Sequence, residues 1–146
     1  MFVWRSFDAL TARELHDVLR LRADVFVVEQ ACLFAEIDGK DPSAFHLLAR
    51  GSGGDLAGTL RLFTPDRDGG QARIGRVATA LAARGTGLGR AMMAEGIAES
   101  ERRFGPVPIR IEAQSRLEAF YGSLGFARTA ADYIEDGILH CVMVKA

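Results

Sequence analysis

Apolar positions change their period several times along the chain, and each change marks an element boundary. Residues 2–7, Phe-Val-Trp-Arg-Ser-Phe, form a short apolar run that predicts an opening strand. Thr11-Ala12-Arg13-Glu14 then reads as a capping box, in which hydroxyl and carboxylate satisfy amides that a helix start leaves unpaired. Leu15, Val18, Leu19, Leu21 and Val25 recur at broadly helical spacing, so the helix runs to about Val28. From residue 29 to residue 44 the periodicity is lost. Such a stretch is long for a simple connection, and long loops in compact domains are often functional. This one mixes apolar anchors with Glu29, Glu36, Asp38 and Asp41.

Further on, Ala44–Arg50, Leu56–Thr64 and Ala72–Ala80 read as strands. The turns Gly51-Ser52-Gly53-Gly54-Asp55 and Pro65-Asp66-Arg67-Asp68-Gly69-Gly70 separate them, which predicts an antiparallel meander. Gly87–Arg103 predicts a helix with Met92, Met93, Ile97 and Phe104 as core positions, and Ile109–Ala113 a strand. Ser115-Arg116-Leu117-Glu118 reads as a second capping box opening a short helix through Leu124, stopped by Gly125. Two last strands, Arg128–Ile134 and Leu139–Val144, turn at Glu135-Asp136-Gly137. The order β-α-β-β-β-α-β-α-β-β predicts one domain over 1–146. Its class is α/β (α+β), a mixed, mostly antiparallel sheet of about seven strands flanked by helices.

Composition narrows the function classes. The chain has 146 residues, 49% of them hydrophobic, and a formal net charge of -1. That balance argues against nucleic-acid binding, which needs a concentrated basic face. Its cations are almost all arginines, dispersed among acids; the lysines are Lys40 and Lys145. Cys32 and Cys141 form neither a disulfide framework nor a metal motif and predict reduced thiols. The start Met1-Phe2-Val3-Trp4-Arg5 has no secretory pattern, and no apolar run reaches the roughly 20 residues that cross a bilayer. A cytoplasmic protein without membrane partners is expected. His16, His46 and His140 lack metal-ligand spacing with the cysteines, so no metal is implied.

The sharpest local feature is Arg84-Gly85-Thr86-Gly87-Leu88-Gly89-Arg90, set between a predicted strand and a predicted helix. There the first helical amides have no internal partner, and the helix dipole favours an anion. Glycines let the backbone turn and let a phosphate approach. Arg84 or Arg90 can add a charge-assisted contact. A Walker loop needs a lysine that this loop lacks, and the dinucleotide fingerprint needs a glycine at position 90, which is arginine. A glycine-rich helix entry without a ligand is the plain alternative.

The loop resembles the acetyl-CoA loop of the GNAT superfamily, Arg/Gln-x-x-Gly-x-Gly/Ala, filled here by Arg84, Gly87 and Gly89. Phe120-Tyr121-Gly122-Ser123-Leu124-Gly125-Phe126 resembles that family's second signature, one helix and one strand downstream. Val25-Phe26-Val27-Val28-Glu29-Gln30-x-Cys32, Glu36-x-Asp38-Gly39-x-Asp41, His46 and Tyr133-x-Glu135-Asp136-Gly137-Ile138-x-His140 look like the ElaA-like branch. Gln114 also fits this branch, and phenylalanine stands at position 34 where the branch often has tyrosine.

The resemblance implies the GNAT acyl-CoA N-acyltransferase fold and acetyl-CoA as co-substrate. It implies that Val77, Ala78 and Thr79 line the pantetheine arm, with the Val77 amide near the thioester carbonyl. Residues 84–90 would hold the pyrophosphate, Gln114 would orient CoA, and Tyr121 would be the general acid. The acceptor would be a small-molecule or peptide amine. Glu29, Glu36, Asp38, His46 and His140 are the candidates for binding it and taking its proton, with Glu29 named as catalytic. Each has a structural alternative: Glu29 as a tie for the helix end, Glu36 and Asp38 as loop-ordering charges, the histidines as hydrogen-bonded strand residues. A non-catalytic CoA sensor on the same fold is the competing function. Edge strands over 128–144 offer a homodimer contact.

Overall fold

The computed structural model of the protein describes residues 1–31, 35–66 and 70–146. Cys32, Phe34 and the centre of the second predicted turn, residues 67–69, lie outside them. The first capping box forms: the Glu14 amide donates to Thr11 Oγ1 and the Thr11 amide to Glu14 Oε1, both at 3.0 Å. It opens α1, Ala12–Ala23, after strand β1, Phe2–Ser6. The helix then widens into a π-helical turn over Asp24–Glu29.

Strands β2 (Ala44–Arg50), β3 (Leu56–Phe63) and β4 (Ala72–Thr79) continue the sheet as the expected antiparallel meander, with β1 outside β2. Then follow α2 (Leu88–Phe104), β5 (Ile109–Gln114), α3 (Glu118–Gly122), β6 (Phe126–Arg128), β7 (Tyr133–Glu135) and β8 (Ile138–Lys145). Among the described residues the eight strands form one sheet in the order β1-β2-β3-β4-β5-β8-β6, with β7 also on β8. The pairing of β4 with β5 is parallel; all others are antiparallel. The fold class is therefore as expected, with one strand more.

Alternation along β3 divides the helices between faces. Leu60 and Leu62 are fully buried in one cluster with Met92 and Met93 of α2. Thr59 and Arg61 face the other way, toward α1, where Leu21 and Val25 pack on Ala78. Gly96 of α2 lets the helix approach the sheet closely: a Cβ there would stand 3.0 Å from Ile74.

Three local expectations are corrected. The second capping box does not form: Ser115 Oγ donates to Asp132 at 2.8 Å, and Glu118 is taken by Arg128 at 2.7 Å. Tertiary partners outcompete the local cap, and the helix ends at Gly122 rather than Leu124. The strand expected over Arg128–Ile134 is divided into β6 and β7. Five steps from Arg128 to Tyr133 oppose three from Met143 to His140, so two extra residues leave the ladder. Finally, β8 is an interior strand between β5 and β6, so within 128–144 only β6 and β7 lie at the sheet's edge.

Candidate active site

Two irregularities in the sheet create the site. In the β3–β4 pairing Thr59 stands opposite Ala78 and Arg61 opposite Gly75, so Arg76 and Val77 together oppose Leu60. This is a β-bulge, and Arg76 adopts φ 48°, a left-handed value uncommon for arginine. The second irregularity is a split. β4 pairs with β5 only over Ala72–Ile74 and Ile109–Ile111. Beyond that, β4 stays with β3 and β5 stays with β8, and the two diverge. A wedge opens between them, edged by the main chain of residues 75–79 and 112–114.

The glycine loop lies at the β4 side of this wedge and leads into α2. Gly85 (φ 77°) and Gly87 (φ 85°, the N-cap) take left-handed conformations that glycine adopts freely. The Arg84 amide donates to Leu81 O, and the next such bond runs from Ala91 N–H to Gly87 O. Among the described residues, no main-chain acceptor takes the amides of residues 85–90. No side chain caps α2 either. Open space lies where a Cβ would stand on Gly85, Gly87 or Gly89. Unpaired donors at the positive end of a 17-residue helix can receive an anion. The Thr86 hydroxyl, by contrast, donates to Ala83 O.

The end of the first helix spans the wedge. Arg84 Nη1 and Nη2 each donate to the Glu29 carboxylate at 2.7 Å, and Nη2 also donates to Thr79 O at 3.2 Å. These hydrogen bonds hold Glu29 below the usual carboxylate range, with burial opposing. On the other lip, Gln114 Nε2 donates to Gln30 Oε1 at 3.3 Å while its oxygen accepts from Arg116 Nε. Arg90 turns toward α3, donating to Ser123 Oγ at 2.8 Å and lying 5.3 Å above the Phe120 ring.

Tyr121 of α3 is 8% exposed and meets Phe120 and Phe126 edge-to-face, at centroid distances of 5.1 and 6.1 Å. Its hydroxyl has no hydrogen-bond partner among the described residues. Burial pushes its pKa above that of an ordinary tyrosine, with Arg116 opposing. His140 stands opposite Gln114 in the β5–β8 register and stacks on Tyr133 at 5.8 Å. Its Nδ1 lies 2.8 Å from Ile138 O. A carbonyl only accepts, so Nδ1 carries the proton and neutral His140 keeps a lone pair on Nε2.

Glu36, Asp38 and His46 occupy a different place, between α1 and the sheet. Arg22 is fully buried there and donates to Glu36 Oε1 (2.9 Å) and Asp41 Oδ1 (2.7 Å). Arg61 grips Asp38 through both terminal nitrogens at 2.9 Å and reaches Asp41 at 3.2 Å. Arg76 donates from Nε to Glu36 Oε1 at 3.0 Å. Burial works against the charge on Asp38, but Arg61 and the Lys40 amide hold its carboxyl far below the usual range. His46 Nε2–H donates to Asp41 O at 2.9 Å, and burial lowers its pKa. The arginines of this network were not singled out by composition. The available signal was the isolated charge in Leu60-Arg61-Leu62, whose inward face demands partners.

An acetyltransferase (GNAT) domain model matches residues 15–146. The chain belongs to the GNAT acetyltransferase family. An acyl-CoA N-acyltransferase from Pseudomonas aeruginosa shares 40% identity, with a TM-score of 0.95 over 100% of this chain and 99% of that one. ElaA of Escherichia coli superposes with a TM-score of 0.91 at 32% identity, over the whole of both chains. The UPF0039 protein sll0451 of Synechocystis is 36% identical over 97% of this chain and 92% of its own. The ElaA-like resemblance thus holds, and GNAT membership supports acyl transfer from an acyl-CoA, with amines of small molecules or peptides as the family's general acceptors. Among the described residues, no group of three His, Cys, Asp or Glu could hold a metal ion, and no helix is long and apolar enough to cross a membrane.

Proposed function

We propose that the protein is an N-acetyltransferase that moves the acetyl group of acetyl-CoA directly to a primary amine. The observation that carries this reading is the run of unpartnered amides over residues 85–90 beside the β4–β5 wedge. A pyrophosphate fits those donors, and an extended pantetheine arm fits the uncovered edge of β4 along Val77, Ala78 and Thr79. Acetyl-CoA supplies the activated acyl group. Gln114 and Gln30 would border the arm on the opposite lip.

Within this reading the Val77 amide meets the thioester carbonyl and stabilises the charge that develops on its oxygen. Tyr121, kept protonated by burial, gives its proton to the departing thiolate. Two groups at the wedge can take the proton of the amine. His140 offers Nε2. Glu29 offers its carboxylate only when Arg84 releases it, since the ion pair makes it a weak base. Glu36, Asp38 and His46 support the acceptor side from behind, by ordering the loop.

The test is acetyl-CoA binding by calorimetry, followed by a consumption screen over polyamines, amino acids, aminoglycosides and peptides. Turnover with one acceptor class supports the enzyme. Tight binding with silence across the panel points to a CoA sensor, and no binding at all removes both readings.

A further inference from the structure

The Val77 N–H belongs to the peptide that the φ and ψ of Arg76 orient. Arg76 sits in the left-handed region at φ 48°, a conformation that disfavours a residue carrying a Cβ by roughly 1–3 kcal/mol. Such a conformation persists only where its surroundings impose it. Here the bulge shapes the main chain, and Glu36 holds the side chain. Its Oε1 accepts from Arg76 Nε at 3.0 Å, and its main-chain oxygen lies 3.4 Å from Arg76 Nη2. Glu36 is itself fixed from behind, because the buried Arg22 donates to both of its carboxylate oxygens, at 2.9 and 3.2 Å. Asp38 adds a longer contact to Arg76 at 3.5 Å.

We infer that Glu36 is a positioning residue: it holds the Arg76 side chain, and through it sets the direction of the 76–77 peptide and of the Val77 amide. The inference rests on the acetyl-CoA reading, in which that amide meets the thioester carbonyl. In this role Glu36 acts through Arg76. It ties the loop after the first helix to the one main-chain donor whose aim decides how the acyl group is held.

Free CoA lacks the acetyl group, so the ratio of its affinity to that of acetyl-CoA reads the contacts made by that group, this donor among them. In the unmodified protein acetyl-CoA binds more tightly than CoA, by the roughly 2- to 12-fold that one hydrogen bond supports. In Glu36→Gln and in Arg76→Ala the CoA affinity stays and the preference falls toward unity. In an amide NMR spectrum the Val77 signal moves further with acetyl-CoA than with CoA, and this difference disappears in both variants. Arg76→Ala removes a partly exposed side chain, so it keeps the test open should Glu36→Gln fail to fold. If both ligands bind and Arg76→Ala retains the preference and the Val77 shift, the positioning role is overturned while the acetyl-CoA reading stands. If the unmodified protein binds neither ligand, the acetyl-CoA reading fails and the inference falls with it.

Discussion

Tyr121 is enclosed by two aromatic rings, and its hydroxyl meets no partner among the described residues. Removing that oxygen therefore leaves packing almost unchanged. For Tyr121→Phe, thermal unfolding and CoA affinity are expected to match the unmodified protein, while turnover falls by about 100-fold or more, the range of a lost general acid. Arg22 is the opposite case, since its charge is structural. Arg22→Met removes the cation between Glu36 and Asp41 and leaves two buried carboxylates short of compensation. Breaking a buried pair in this way costs about 3–5 kcal/mol. Urea unfolding should show an unfolding free energy lower by that amount, and a loss under 1 kcal/mol would mean that the network relaxes without it. The identity of the base is also a question at this scale. Glu29→Gln and His140→Gln decide it: the variant that loses turnover while keeping acetyl-CoA affinity marks the base.

At the scale of elements, the start of α2 has conflicting demands. A helix gains stability from a non-glycine residue and from negative charge in its first turn. Gly89 supplies neither. Gly89→Asp should therefore stabilise the free protein by up to about 1 kcal/mol, read as a rise of a few degrees in Tm. The same change places a carboxylate where the pyrophosphate would sit, and acetyl-CoA affinity should fall at least about 10-fold. Stability and binding moving together would show that the loop's amides serve only the helix. The two capping boxes teach a related lesson. Thr11 and Glu14 form theirs while Arg5 occupies only the second Glu14 oxygen, at 3.4 Å, whereas Ser115 and Glu118 are claimed by Asp132 and Arg128 from the β6–β7 connection.

For the whole molecule, the buried network sets a pH dependence. Burial lowers the pKa of His46 below its unfolded value. Asp38 and Asp41 also lie below theirs, despite burial, through Arg61 and Arg22. Each group therefore contributes stability that is present above its unfolded pKa and lost as pH falls through its folded one. The protonated His46 would add a cation beside Arg22 and Arg61. Unfolding free energy should be level near pH 7–8, begin to fall below about pH 6.5, and fall further below about pH 4. His46→Gln, which keeps a donor for Asp41 O, should flatten the upper stage only. If that stage persists in the variant, a different group titrates there.

The sequence by itself determined the elements whose causes are local. Periodicity located α1, α2 and the meander, since a strand or helix face repeats within a few residues. Gly85, Gly87, Gly125 and Gly137 marked chain reversals because each stands at positive φ. The unpaired amides of residues 85–90 were legible for the same reason. Only the tertiary structure decided the remainder. The wedge depends on where β4 and β5 part company, and the bulge on how β3 registers against β4. Glu36 meets Arg76 forty residues away, and Glu29 meets Arg84 across fifty-five. A charge in a sequence shows that it needs a partner when buried, but the choice of partner is made by the packing that brings distant segments together.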